Sequence, residues 1–301
     1  MTALEAAAKA ADGFITTDVV VQPGYAGNSN QQNPFYNRYG FPVGSTRATS
    51  EYSFIVPTNY ILNQYQNNKD PRIEQIYRKG QKNVPGTMTA TPAYVGTDLG
   101  EQQPPQFNPA DGATVGSRFL QGGTFLRGAN APVVLMLLAE HLFSKSEAET
   151  RNLFSGSDAA AEVDFNNGIK ASFLFTYRPA SNLTPTTLAA GTAGVAEYEK
   201  YLKDNVANSL VNYKLATTSG DLGKQSVILY QKYLAENTVA STEAWDDYRR
   251  AAQPKFTISK RAGVTKLPTR LFYPQSEVET NAANVPKGVD QFTKIFWDVV
   301  D

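Results

Sequence analysis

The densest run of chemically expensive side chains is TEAWDDYRRAAQPKF, residues 242–256. Within it Glu243, Trp245, Asp246, Asp247, Tyr248, Arg249 and Arg250 place carboxylates, an indole, a phenol and two guanidiniums in one helical pattern. Two neighbouring carboxylates invite a glycosidase reading, in which a carboxylate pair flanks one bond. Adjacent helix residues point about 100° apart, so Asp246 and Asp247 cannot form that pair. Each instead stands three positions before an arginine, the spacing at which helix neighbours form ion pairs. The expected role is a scaffold joint. Trp245 buries its ring and donates its N–H, Ser241 or Thr242 caps the helix, and Pro254 ends it. Loss of Arg249 is expected to strand a buried carboxylate.

Other chemistry is thinly supported. His141, the one histidine, lies mid-helix with no nucleophile elbow anywhere in the chain. A packed polar position is its expected role. The segment DLGEQQPPQFNPADGA, residues 98–113, offers Asp98, Glu101 and Asp111 among turns. Calcium takes several oxygen ligands, so a weak calcium site there is conceivable, but the spacing is not that of an EF-hand. No other cofactor is expected. Within the ordered aromatic loop QPGYAGNSNQQNPFYNRYGFPVG, residues 22–44, the stretch NPFYNRYGF, residues 33–41, is the best ligand candidate. Its rings would stack on the C–H faces of sugars, and its amides and guanidinium would pair with hydroxyls. The candidate contacts are Tyr25, Asn33, Phe35, Tyr36, Arg38 and Tyr39. The competing reading is that these rings hold the loop down.

These residues need elements to position them. The 301-residue chain has room for a substantial core. It carries 28 basic and 28 acidic residues, which argues against a nucleic-acid partner. It has no cysteine, which excludes disulfides, thiolate metal sites and cysteine nucleophiles. No apolar run is long enough to span a bilayer, and the first residues do not form a signal peptide. An Ala-rich start predicts a short helix stopped at Gly13, and FITTDVVV, residues 14–21, predicts a strand. Residues 50–65 predict a helix with Ile61, Leu62 and Tyr65 inward. Asp70-Pro71 reads as a helix start. Residues 79–130 predict loops and short hairpins. From residue 131 the pattern becomes helical, with Pro132 near the first turn. Further helices are predicted over 161–177, 195–210, 224–236 and the motif itself, and the chain is extended after Phe256. The expected fold class is mainly α, with tetratricopeptide-like helix pairs supporting a loop-rich layer of short helices and hairpins. The expected organisation is a ligand-facing layer over 1–130, stacked helical hairpins over 131–255, and a C-terminal segment over 256–301 packing on both.

Seven segments, in order, resemble the SusD/RagB family of outer-membrane nutrient-binding lipoproteins of Bacteroidetes. They are NKDPRIEQIY, APVVLMLLAEHLFSKSEA, DFNNGIKASF, ILYQKYLA, EAWDDYRRAAQPKF, LPTRLFYPQSEVETN and FWD. The resemblance runs from about residue 68 onward and is loose before it. It implies a non-catalytic, surface-exposed protein that captures oligosaccharide and passes it to a SusC-like, TonB-dependent transporter. It places EAWDDYRR in the common framework and assigns no ligand residue here. It also leads one to expect that this is the C-terminal portion of a longer, lipid-anchored protein. The helices after Ala131 would then show an uncovered apolar face. Two alternatives stay open: the same role with peptide cargo, recognised by Arg38, Arg47 and Arg118, and a glycoside hydrolase.

Overall fold

A computed structural model describes residues 2–11, 13–84, 86–87, 89–102, 114–189 and 193–298. The molecule is mainly helical, as its patterning predicts. Its centre is the pair α6 (Leu138–Thr150) and α7 (Ser157–Tyr177), which pack along each other, with α9 (Lys224–Glu236) against both. Phe143, Phe165 and Ile169 are fully buried between them, each contributing roughly 2 kcal/mol of apolar burial. Close approach depends on Gly168, where a Cβ would stand 2.8 Å from the Phe143 ring. Asp158 in the first turn of α7 complements the helix dipole. The helix stops at Arg178 because Pro179 drives that residue to extended geometry (ψ 126°).

Around this centre, α8 (Val195–Asp204) packs on α7 and α10 (Ser241–Ala251) on α9. Among these helices Val163 is the large apolar residue left exposed, so the expected uncovered face is not seen among the described residues. The reason is that α7 buries side chains around most of its circumference. Helix α10 begins one residue earlier than predicted, with Ala240 rather than Ser241 or Thr242 at its N-cap. The link after α9 folds back so that the Val239 and Ala240 N–H groups both reach the Glu236 carbonyl. The helix closes at Ala252 in left-handed geometry (φ 51°), ahead of Pro254.

The earlier part of the chain forms the irregular layer. It holds α1 (Ala3–Ala10), α2 (Pro34–Tyr39), α3 (Ser50–Phe54), α4 (Asn59–Asn67) and α5 (Ile73–Ile76), with three two-stranded antiparallel sheets. Strands β2 (Tyr77–Arg78) and β5 (Arg118–Phe119) pair, as do β3 (Gly80–Asn83) and β4 (Ala90–Ala93). The remaining pair corrects two expectations. β1 spans only Val19–Val21, and its partner is β6 (Val133–Met136), where helix was expected. Pro132 therefore precedes a strand, and the helix starts at Leu138. The apolar run VVLMLL gives periodicity no purchase, and the β-branched valines pair across the sheet instead. Asp18, just before β1, accepts from the Leu138 N–H at 2.9 Å and so caps α6 from a distance.

Helix α9 joins the layers. Val227, Ile228 and Ala235 face the α6–α7 core, while Tyr230 and Leu234 join Ile61, Leu62, Tyr65, Ile73 and Ile76 in a second cluster. A buried ion pair also locks the layers together. Asp70, expected only to start a helix, takes the Arg72 guanidinium at 2.5–3.1 Å. Arg72 Nη1 donates to Ser172 on α7 at 2.7 Å. After Phe256 the chain is irregular apart from α11 (Gln275–Thr280). Among the described residues no helix is long and apolar enough to cross a membrane.

Candidate ligand-binding groove

A groove of 510 Å³ opens where α2, the turn before α4, β5 and the α9–α10 link meet. Aromatic rings form much of its wall: Phe35 and Tyr39 from α2, Tyr77 and Phe119 from the β2–β5 pair, Phe125 and Tyr233. Most of them touch in sequence. Phe35 and Tyr39 meet Phe125 at 5.7 and 5.9 Å, Phe125 stacks on Phe119 at 4.3 Å, and Phe119 stacks on Tyr77 at 5.8 Å. Polar groups interleave: Thr58, Asn237, Thr238, Ser241 and Thr242. Asn237 Nδ2 donates to the phenol oxygens of Tyr65 and Tyr77 at 3.0 and 3.3 Å, which fixes the floor. Burial pushes the Tyr77 phenol up to about 12, so it stays a neutral donor at physiological pH. A second pocket of 240 Å³ shares Thr58 and Tyr233 with the groove and adds Tyr60, Trp245 and Phe256.

The sequence candidates separate here. Phe35, nearly half exposed, and Tyr39 line the groove. Asn33 is buried and caps α2: its Oδ1 accepts from the Phe35 and Tyr36 N–H groups, and its Nδ2 donates to the Ala131 carbonyl. It aims α2 rather than lining the groove. Tyr36 packs toward Phe41, Arg38 stands exposed over the Tyr39 ring, and Tyr25 sits on a separate loop held through Gln22. None of Tyr25, Tyr36, Arg38, Arg47 and Arg118 lines the groove.

Phe119, Phe125, Tyr233 and Asn237 were not singled out from sequence. Phe125 carried a usable signal, an aromatic in the Gly-rich run GGTFLRG. A Cβ on Gly123 would stand 2.2 Å from the Gln75 carbonyl, so this loop can seat Phe125 only with glycine there.

The motif at residues 243–250 is a different kind of place. Arg250 reaches across to α6 and holds Glu147 by two bonds of 2.6 and 2.9 Å, while also taking Asp247 at 2.7 Å. Asp247 in turn pairs with Lys232 on α9 at 2.8 Å. Burial works against the Glu147 charge, yet the Arg250 fork holds its carboxyl below the ordinary value. Arg249 pairs with Asp246, which is half exposed, and stacks on Trp245 at 4.4 Å. The buried carboxylates therefore depend on Arg250, not Arg249 as expected. Trp245 is half-buried and lines the second pocket, Tyr248 packs on Phe256, and Glu243 is exposed. His141 is half-buried against Phe14, and burial lowers its pKa. At the suggested calcium segment Asp98 is bonded by Lys260 and Asn59, and the Glu101 carboxylate accepts the Asp98 N–H. Asp111 lies outside the described residues. Among those residues no three His, Cys, Asp or Glu side chains cluster as metal ligands.

Comparison with known proteins decides the family. A family model described as "Starch-binding associating with outer membrane" matches residues 3–274. The chain belongs to the SusD-like family. The match starts well before residue 68, where the sequence resemblance became legible. Solved SusD-like structures share the fold. A Bacteroidetes protein, AC2a, aligns at TM-score 0.62 and 16% identity, covering 97% of this chain and 64% of that one. A SusD homologue from Bacteroides fragilis aligns at TM-score 0.62 and 21% identity, covering 92% and 56%. A chitin-binding protein aligns at TM-score 0.55 and 21% identity, covering 80% and 49%. The SusD-like chain thus spans about half to two-thirds of the length of these relatives. No curated protein matches it.

Proposed function

We propose that this protein captures oligosaccharide at the outer-membrane surface and hands it, without cleaving it, to a SusC-like TonB-dependent transporter. The observation that carries the reading is the ring-lined groove with amide and hydroxyl groups between its rings. Flat rings match the apolar faces of pyranoses, and the interleaved donors and acceptors match their hydroxyls. The family description names starch, and one structural relative is a chitin-binding protein. No carboxylate lines the groove among the described residues, so a two-carboxylate hydrolysis has no acid or nucleophile there. A peptide cargo is less favoured, because Arg38, Arg47 and Arg118 do not line the groove.

Affinity-gel electrophoresis on a panel of polysaccharides tests this reading. Retardation is expected on at least one glycan, unchanged by chelation of calcium, with no reducing sugar released. Phe125→Ala, which removes the central ring of the run, is expected to weaken retention at least tenfold. Free passage through every glycan would overturn the assignment. Co-purification with the cognate barrel tests the transporter partner.

A further inference from the structure

Beside the groove, across Phe35 and Phe125, lies a cavity of 60 Å³ that shares those two rings with it. Two guanidiniums line this cavity, Arg127 and Arg178, each 7% exposed, and among the described residues no carboxylate does. Their charges are poorly matched. Arg127 donates to the Arg178 and Phe175 carbonyls at 2.5 and 2.9 Å, neutral acceptors at the end of α7. Arg178 donates to the Thr184 carbonyl, and its Nε is buried with no hydrogen-bond partner. The nearest carboxylate is Asp18, 3.9 Å from Arg178. Asp18 already accepts the Leu138 and Thr186 N–H groups at 2.9 Å each. Both guanidiniums also stand against the Phe175 ring, at 5.1 and 5.2 Å. Burial, then mutual repulsion, lowers the Arg127 pKa to about 10, so Arg127 stays cationic at neutral pH, and burial lowers that of Arg178 as well.

Two buried cations served by one shared carboxylate are short of an anion. Guanidinium groups bind planar carboxylates by paired, charge-assisted bonds. The space suits a carboxylate, on a scale where one water takes roughly 10–15 Å³. We propose that this cavity is a subsite for the carboxylate of an acidic sugar, and that the groove's ligand is therefore a uronate-containing oligosaccharide. The proposal rests on the glycan reading above and narrows it.

The test is calorimetry on the whole chain with matched ligands: oligogalacturonate, oligomannuronate and glucuronate-containing oligomers, each beside its carboxyl-reduced neutral counterpart. A sulfated neutral oligomer and a short peptide with a free C-terminus complete the set. At least one uronate oligomer is expected to bind tenfold or more tightly than its reduced form. Arg127→Gln and Arg178→Gln, checked for folding by circular dichroism, are expected to bring such a pair within twofold. Phe125→Ala should weaken both members. The wild-type comparison stands even if a variant fails to fold. Equal affinity for charged and reduced oligomers, with dependence on Phe125, would overturn the subsite and leave glycan capture intact. Preference for sulfate or for the peptide would overturn the ligand class. Absence of binding to any glycan would remove both readings.

Discussion

Arg72 is completely buried, and both oxygens of Asp70 accept from its guanidinium while Ser172 takes a further N–H. Arg178 is buried almost as deeply, yet its nearest carboxylate stands 3.9 Å away and its Nε has no partner. The first arrangement is closed: donors and acceptors are matched within the fold, and nothing is left to bind. The second is open, and it lines a cavity beside a ring-lined groove. The lesson is that buried charge does not by itself mark function. What separates a joint from a site is whether the fold supplies its own counter-charge.

The sharpest way to break this contrast is to remove one partner from each place. Asp70→Ala strands a fully buried guanidinium and should cost about 3–5 kcal/mol. Arg178→Met removes an under-compensated charge, so it should cost about 1 kcal/mol or less, replacing a buried cation by apolar volume. Urea titrations of the two variants measure the difference. Equal losses would show that Arg178 is as much a joint as Arg72.

A middle case refines the rule. Arg250 is about one-third exposed, but it serves Glu147 and Asp247, which are nearly buried. Arg250→Ala should cost about 2–3 kcal/mol after allowance for solvent screening. Arg249→Ala frees the half-exposed Asp246, the stack between Trp245 and Trp297 and a long bond to the Thr269 carbonyl, so about 1 kcal/mol is expected. Thermal melts of both variants, read beside glycan retention, decide the ranking. A larger loss from Arg249→Ala would mean that its stack between Trp245 and Trp297 is the true joint.

How much of this was legible follows from range. Helices α7 and α9 were, because long amphipathic or apolar helical runs and a Lys-to-Glu stretch without breakers leave little choice. The i, i+3 pairing of Asp246 with Arg249 and of Asp247 with Arg250 was legible from spacing alone. Which pair matters was not, since that depends on Glu147, 103 residues away. Strand β6 was hidden for the same reason: its partner, Val19–Val21, lies more than a hundred residues earlier. In the groove, Phe35 and Tyr39 stood out as loop aromatics. Phe119, Phe125, Tyr233 and Asn237 come from separate segments, and no local pattern says that those segments meet. Asn33 shows the other side: its residue type suited sugar binding, its position called for a helix cap, and it lines the smaller cavity rather than the groove.

The last expected effect is one of pH and concerns Glu236, at the end of α9 where the chain turns toward the groove. Both its carboxyl oxygens are buried without hydrogen bonds, and Lys232 stands 3.6 Å away while pairing more closely with Asp247. Burial pushes its pKa up to about 9, against an ordinary 4.5. The folded state therefore keeps a proton that the unfolded chain releases above about pH 4.5. Stability from this group is full below that pH and is lost as the pH rises toward 9. Glu236→Gln supplies a permanently neutral group of the same shape. It should leave the melting temperature unchanged near pH 4 and raise it progressively as the pH climbs from 5 to 8. A pH-independent change would instead mean that Lys232 holds Glu236 ionised. Glu236 would then belong with Asp70 among the matched carboxylates, and the line between closed and open charge would have to be drawn elsewhere in the fold.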